Sequence, residues 1–510
     1  MGGNHSVETG LGALLKGRVR VFSMLAAVGL MSLNPASLLA WATSPQVQAD
    51  PVANYPVRVT LIPNPRTDLT FARDVAPIIQ QNCENCHRPG NVSPMVLQTY
   101  QQVRRYATRI RDRVIRRQMP PWPIDRTVGI TEFKNDPSLS DEEIRTIVDW
   151  IDAGAPLGDP ADLPEPALWP DGIEWAFKAD LGPPDMVLQS PMYNVVANGM
   201  DQWPTPITPL EDVQIEGAPL TQDRWIKAGE VRPHSVEARY VFHHANPALI
   251  MPGEIVDPME AQSGRVKFID SAVGTTGRIF PDNQGRMIRP GSSVSWAMHY
   301  FPYSHDIEAA LQVAVWYYPV GYEPEFYSMG DVQMQTSMTS YTGEFNPRTG
   351  TRDSSGRLHD HSDILIPPNS VTTLKGVHVL DRPAMMHSIR GHMHLLGKYQ
   401  VLEAIYPDGR WEIISKLNWD HGWHTLFLYE DHVAPLFPKG TVLLMSSTFD
   451  NTADNPHNQD PDQWITGGDR SVDEMGHIRL GLTYFENEED FQKMVEARER
   501  LLDTRPAAQP

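Results

Sequence analysis

The sequence predicts a multidomain chain: a small all-α unit followed by two all-β sandwich units. Three observations carry this expectation. Helical periodicity is confined mostly to the first third of the 510 residues after the N-terminus. Beyond about residue 175, short apolar strands alternate with Gly- and Pro-marked turns, with no long helix among them. That β region runs for roughly 330 residues, which suits two sandwich cores better than one. The formal net charge of −20, from 63 acidic and 43 basic residues, argues against a nucleic-acid surface and fits a soluble acidic protein.

Residues 1–42 read as an export signal. Lys16, Arg18 and Arg20 form a basic region, Val21 to Leu33 is an almost unbroken apolar run, and Ala40-Trp41-Ala42 supplies an A-x-A cleavage site. An uncleaved membrane anchor is the alternative, and Asn34-Pro35 counts against it by interrupting the apolar run. No later stretch reaches the roughly 20 apolar residues that span a bilayer. The expected address is periplasmic or secreted. Residues 43–68 read as a linker holding one strand, Val57 to Ile62.

From Phe71 a helical run leads into Cys83-Glu84-Asn85-Cys86-His87. Cys-x-x-Cys-His is the attachment motif of c-type haem: two thiols form thioethers to the porphyrin and His87 is carried under the iron. A thioredoxin-like dithiol is the rival, but it wants a βαβ setting and leaves His87 without a task. The export signal favours haem. A c-type haem commonly takes Met as second axial ligand, and Met119 in Gln118-Met119-Pro120-Pro121-Trp122 is the better candidate, with Met95 as competitor. A basic helix, Tyr100 to Arg117, precedes Met119. Ser138 to Ile144 carries capping-box residues ahead of a helix with Ile144, Ile147, Val148 and Ile151 at helical spacing, ending at Gly154. Three helices around this motif resemble a small cytochrome c, covering residues 69–158, although Met119 lies closer to the motif than in mitochondrial cytochromes.

An acidic, Pro-rich linker, 159–174, leads into the β region. Predicted strands are Tyr240 to His243, Ser293 to Tyr300, Ala310 to Tyr318, Val371 to Leu380, Tyr399 to Ile405, Val442 to Phe449 and Ile478 to Tyr484. The break between the sandwiches is placed near Thr349 to Asp363, giving units 175–350 and 351–490. Glu486 to Leu502 reads as a charged surface helix, with residues 491–510 as a tail.

Two histidine groups stand out. His392 and His394 are two apart, so on a strand they project from one face, half of a metal site. His243 and His244 are adjacent and can share a metal only where their strand ends or bulges; Asn246-Pro247 marks such an end. His299 is a third ligand candidate for that pair. Spacing alone does not tie Met475 to His392 and His394.

The order His243-His244, His299-Tyr300, His392-x-His394-x-x-Gly397-Lys398, Asp473-Glu474-Met475 resembles the type II copper, ascorbate-dependent monooxygenase family, which includes peptidylglycine α-hydroxylating and dopamine β-monooxygenases. The resemblance spans about residues 175 to 490. It implies two jelly-roll sandwiches, one copper on each, separated by a solvent-filled cleft. It also implies an electron-transferring copper on His243, His244 and His299 and an oxygen-activating copper on His392, His394 and Met475. Three imidazoles suit copper in either state and a thioether favours Cu(I). Neither site holds a cysteine, which argues against a blue-copper centre.

The sequence departs from the family in two respects. The two cysteines both lie in the haem motif, so none remains for the disulfides of the animal enzymes. Arg390 occupies the place of the carboxylate-binding arginine of peptide-hydroxylating members, whereas Arg479 stands where those have a tyrosine. His359, His361, His387, His421, His424 and His477 read as structural or solvated, with His477 as support for the Met475 site.

Together these readings imply an exported copper monooxygenase with two copper ions and one covalently attached c-type haem. It would hydroxylate a C–H bond of a small organic substrate with dioxygen. Electrons would come from an external donor (an ascorbate-like reductant, a quinol-linked or a cytochrome donor) through the haem. The alternatives are a periplasmic electron-transfer or copper-binding protein without monooxygenase activity and, last, a zinc hydrolase.

Overall fold

The computed structural model describes residues 66–89, 91, 93, 95–167, 169, 174–254, 268–269, 271–272, 276–280, 284–324, 328–335, 364–468 and 470–503. The export signal, the strand expected at Val57 to Ile62, His359, His361 and residues 349–363 lie outside the described residues. Ser328–Gln335, expected in the first β unit, pairs with His477–Tyr484 and so belongs to the second, which puts the break before residue 328. Among the described residues the chain is mostly β-sheet with few helices, and no helix is long and apolar enough to cross a membrane.

A π-helical turn, Phe71–Val75, runs into α1 (Ala76–Asn82); α2 (Tyr100–Ile115) and α3 (Asp141–Asp152) follow. Reciprocal capping boxes, Thr99 with Gln102 and Ser140 with Glu143, start α2 and α3 by satisfying backbone N–H groups that a first turn leaves open. Gly154, at φ 94°, turns the chain out of α3 in the left-handed region that glycine tolerates. The helices share a core that includes Val75, Ile79, Val103, Ile147 and Trp150.

The stretch between α2 and α3 departs from an all-α unit. There β1 (Ile124–Gly129) pairs antiparallel with Trp411–Asn418, and Trp122, Ile124 and Phe133 are buried in the core of that distant β unit. Lys416 Nζ donates to Asp125 Oδ2 at 2.9 Å across the pairing.

The first β unit holds β2 (Met186–Gln189), β3 (Arg224–Pro233), β4 (Phe242–Ala245), β5 (Ser271–Ala272), β6 (Met298–Tyr300) and β7 (Leu311–Tyr317). One sheet runs β3–β7–β2 and another β6–β4–β5, and they enclose Leu188, Ile226, Val231, Val313, Ala245 and Met298. The single strand expected from Ser293 to Tyr300 is two, Ser293–Ser295 and Met298–Tyr300, because Ala297 at φ 34° breaks the extended backbone between them.

The second unit holds β8 (Ser328–Gln335), β9 (Ser370–Val379), β10 (Ala384–His392), β11 (Gly397–Ile405), β12 (Trp411–Asn418), β13 (Val442–Asn451) and β14 (His477–Tyr484). The sheets β1–β12–β11–β13–β9 and β8–β14–β10 share one core containing Leu402, Ile414 and Met445 from the first and Ile389, Ile478 and Leu480 from the second. That is a sandwich. The charged helix near the C-terminus, α4 (Glu488–Asp503), is docked on it: Phe491 is buried and meets Phe485 at 5.7 Å.

Strand β10 is buried almost throughout, which decides where the site lies. Ile389 faces the sandwich core, so alternation turns Ser388, Arg390 and His392 the other way. Partners across that face come from the first unit. Arg278 donates to Ser388 Oγ at 3.2 Å, Arg479 to Asn246 Oδ1 at 2.7 Å, and Thr483 Oγ1 to Gln284 Oε1 at 2.7 Å.

Candidate metal centre

The adjacent histidines solve their facing problem with a bulge. Tyr300 pairs with Phe242 and His299 with His244, so His243 is the extra, unpaired residue of β4. A bulge re-aims one side chain out of the alternation, and here it brings His243 to the face of its neighbour. His299 Nδ1 lies 3.2 Å from His243 Nδ1 and 3.2 Å from His244 Nε2. Ligand atoms of all three lie within 4.8 Å of one another. Metal–nitrogen bonds of about 2.0–2.1 Å at tetrahedral angles put donor nitrogens about 3.3 Å apart, so the group has the spacing of a filled coordination shell.

The electrostatics agree. Burial, reinforced by neighbouring imidazoles, pushes His243 down to about 2 and His244 well below the usual histidine value. Both rings are therefore neutral, as a ligand must be. Asp201 Oδ2 sits 3.3 Å from His299 Nε2, on the ring nitrogen that does not face the other histidines, and accepts from Ser471 Oγ at 3.1 Å. The carboxylate lies close to the far nitrogen without the geometry of a hydrogen bond, near enough to orient the ring by charge. Sequence reasoning missed Asp201: nothing local marks an aspartate 98 residues from its histidine.

The second group follows from strand register. β10 and β14 pair Ser388 with Gly481, Arg390 with Arg479 and His392 with His477. The ladder ends at that pair, and beyond it the backbone of Glu474 pairs with Gly467. The contacts at that end hold the two segments together: His394 Nδ1 contacts Asp473 O at 3.0 Å, leaving Nε2 as the ring nitrogen for a ligand bond. Glu474 is fully buried and accepts backbone N–H bonds from His394 (2.9 Å), Leu396 (2.6 Å) and Met475 (3.3 Å). Burial raises its carboxyl to about 8 even though these three donors favour the charged form. Gly391 lets the site close: a Cβ there would meet Gln400 Oε1 at 2.4 Å, the oxygen that accepts from His392 N.

The two groups adjoin. His244 and His392 have ring centres 6.1 Å apart, so no solvent-filled cleft separates them. Interlocked polar contacts hold the two β units face to face at this point, Arg479 on Asn246 and Ser471 on Asp201. His421 and His424, read from sequence as structural, lie at the junction. His424 is 5.2 Å from His243 and 5.2 Å from His392, and His421 is 5.8 Å from His243. Burial holds both below the ordinary histidine value. His477 is stacked 5.9 Å from His392, as the register requires. His387 is on β10 and buried.

One step along the same ladder, the paired Arg390 and Arg479 line a small, partly open cavity, about 20 Å³ and so large enough for one or two waters, with Arg278, Arg286, Ser388 and Gly481. Two residues along a strand span about 7 Å, so this cavity opens beside His392.

In the helical unit, Cys83 and Cys86 are free thiols and His87 N donates to Cys83 O at 2.9 Å, one helical turn back. Burial pushes the Cys83 thiol up to about 12. His87 Nδ1 is engaged by Ser93 Oγ at 2.7 Å and Met95 O at 3.1 Å, which leaves Nε2 for iron. That arrangement fits a proximal haem ligand. It also puts the Met95 backbone on the Nδ1 side of His87, away from the iron-binding nitrogen. Met119 is 41% exposed and lines a cleft with Arg117, Trp122, Leu139 and Ile144.

Neither a family profile nor a curated protein matches the chain. Solved structures with partial likeness include procruciferin, an 11S globulin from Brassica napus (8% identity over 62% of this chain and 87% of that chain, TM-score 0.14). Others are the coconut allergen cocosin (10% identity, 61% and 87%, TM-score 0.14) and pumpkin pro-11S globulin (10% identity, 60% and 87%, TM-score 0.14). Likenesses this weak carry no argument about fold or function.

Proposed function

We propose that this protein is an exported copper-dependent monooxygenase whose N-terminal unit is a cytochrome c and whose two sandwiches are jelly rolls. It acts on a small organic substrate with dioxygen. The observation that carries the reading is the convergence of His243 and His244 on His299, whose Nδ1 lies 3.2 Å from His243 Nδ1 and 3.2 Å from His244 Nε2, all three within 4.8 Å of one another, with His392 adjoining. Under this reading His243, His244 and His299 hold the electron-transferring copper, and His392, His394 and Met475 hold the oxygen-activating copper. Copper supplies single-electron chemistry and oxygen activation when bound.

The chain's own part is placement. Arg390, with Arg479, Arg278 and Arg286, gives the small cavity beside His392 a positive lining that suits an anionic group of the substrate at its mouth; guanidinium groups suit carboxylates because their paired N–H donors match two oxygens. Glu474 holds the His394 and Met475 segments in one geometry. Cys83, Cys86 and His87 carry the haem, with Met119 as second axial ligand. Met119 is three residues from Trp122, whose ring lies 4.6 Å from Phe427, three residues after His424. That one ring contact between the two segments supports an internal electron supply, fed by an ascorbate-like, quinol-linked or cytochrome donor.

The alternative, an electron-transfer or copper-binding protein without catalysis, is favoured by the close approach of His244 and His392, which leaves the mouth of the small arginine cavity for the substrate. Metal analysis with ¹⁸O₂ turnover separates the readings. The monooxygenase has two coppers per haem and places one labelled oxygen in its product. Two coppers without substrate-linked oxygen uptake across a panel of small carboxylates means the alternative, and no copper after reloading refutes both.

A further inference from the structure

We infer that His424 is itself a metal ligand, completing a three-imidazole, one-thioether set with His392, His394 and Met475; this rests on the two-ion reading above. Two imidazoles on one tetrahedral ion have ring centres about 5 Å apart, given metal–nitrogen bonds of about 2.0–2.1 Å. The first group shows that spacing directly, with separations of 5.1, 4.9 and 4.9 Å among His243, His244 and His299. In the second group His392 is 5.3 Å from His394 and 5.2 Å from His424, the same spacing.

His424 is as close to His243, but His243 turns Nδ1 towards His299 and stacks on Phe301 at 4.2 Å, so its place is in the first group. The His424 ring is 6.3 Å from His244, wider than the spacing of two imidazoles on one ion, so the first group does not take it as a further ligand, and His392 is the partner that remains. Three imidazoles and a thioether are donors that suit Cu(I).

The loop carrying His424 is built for a fixed position. Asn135 Nδ2 donates to Leu426 O at 2.7 Å, and its Oδ1 accepts from Leu428 N at 3.0 Å. Lys134 N donates to Leu428 O at 2.8 Å, and Trp419 packs on the His424 ring at 4.8 Å. A histidine needed only to fill space has no use for a clamp from a segment almost 300 residues away. A ligand does, because its ring must be held against the pull of the ion.

The test is copper affinity at both sites, by chelator competition, in the wild type, His424→Ala and His424→Gln, together with the imidazole count by pulsed EPR. The expected result is an unchanged first ion and a second ion weakened at least about tenfold in both variants. The wild type should show six imidazoles over two ions, and the variants five. Five imidazoles in the wild type, or an unchanged second affinity in a folded variant, overturns the inference. The wild-type count decides the matter even where a variant fails to fold. A wild type that binds fewer than two coppers defeats the two-ion reading instead, which separates the two failures.

Discussion

Glu474 is the residue whose removal tests how the second group is assembled. Its carboxylate accepts from His394 N at 2.9 Å, Leu396 N at 2.6 Å and Met475 N at 3.3 Å, in a site with no exposed surface. Glu474→Ala strands these donors, and a buried donor left without an acceptor costs about 1–3 kcal/mol. The two shorter bonds alone are then worth about 2–6 kcal/mol, with water in the vacated space holding the loss toward the lower end. Glu474→Gln keeps one oxygen but turns an NH₂ toward a backbone N–H, so it loses roughly one bond, about 1–3 kcal/mol. The assays are urea unfolding of the metal-free protein and chelator competition for copper. Stability and second-ion affinity should fall together in the order wild type, Gln, Ala, while the ion at His243, His244 and His299 keeps its affinity. If Glu474→Ala unfolds within about 0.5 kcal/mol of the wild type, the range of ordinary surface changes, the clamp is refuted. Equal weakening of both ions refutes it as well.

Asp201→Asn should weaken the first ion about 10–100-fold and the second much less, because His299 loses its charged neighbour while an amide oxygen can still accept from Ser471; chelator competition reads it. Arg390→Gln should raise KM for an anionic substrate about tenfold or more and leave KM for an uncharged analogue unchanged, measured by steady-state kinetics. Burial raises the Asp125 carboxyl, but Thr127 and Lys416 outweigh it and hold the group below its ordinary value. Its stabilisation is therefore present above about pH 4 and lost as pH falls through the depressed value. Asp125→Asn should cost about 1–2 kcal/mol at neutral pH and flatten the acid limb of an unfolding-versus-pH curve below about pH 4.

Much of the site was legible because its ligands obey local rules. His392-x-His394 announces itself by strand alternation, and His243-His244 demanded a bulge or strand end, which the pairing of Phe242 with Tyr300 supplies. The capping boxes at Thr99 and Ser140 and the stop at Gly154 were likewise readable within a few residues. Met475 was not: its segment is tied to that of His394 through the buried Glu474, and spacing carries no information on contacts between segments 80 residues apart. The place of His421 and His424 beside the two groups was hidden for the same reason. Their sequence shows two histidines in a loop, and only the docking of the two β units brings them between His243 and His392. The closed gap between the groups is a property of that docking as well.

The deepest departure from the sequence reading is β1, because it makes the helical unit structurally inseparable from the second sandwich. Trp122, Ile124 and Phe133 are 3%, 1% and 7% exposed, and all three contribute to the core that also holds Ile389 and Leu480. Burying a large apolar side chain is worth about 1.5–3 kcal/mol, so the three together supply about 5–9 kcal/mol. A folded domain typically has only about 5–15 kcal/mol in hand. A chain beginning at residue 174 would lose that packing, leave the edge of β12 unpaired, and free the loop that Asn135 holds at Leu426 and Leu428. It should aggregate or melt well below the full chain, by calorimetry, and bind the second copper weakly if it binds it at all. A truncated chain that unfolds cooperatively near the full-length melting temperature with both ions bound would show that β1 is a passive tether. The helical unit would then be free to move as an independent electron carrier, and the ring contact of Trp122 with Phe427 would have no role in supplying electrons.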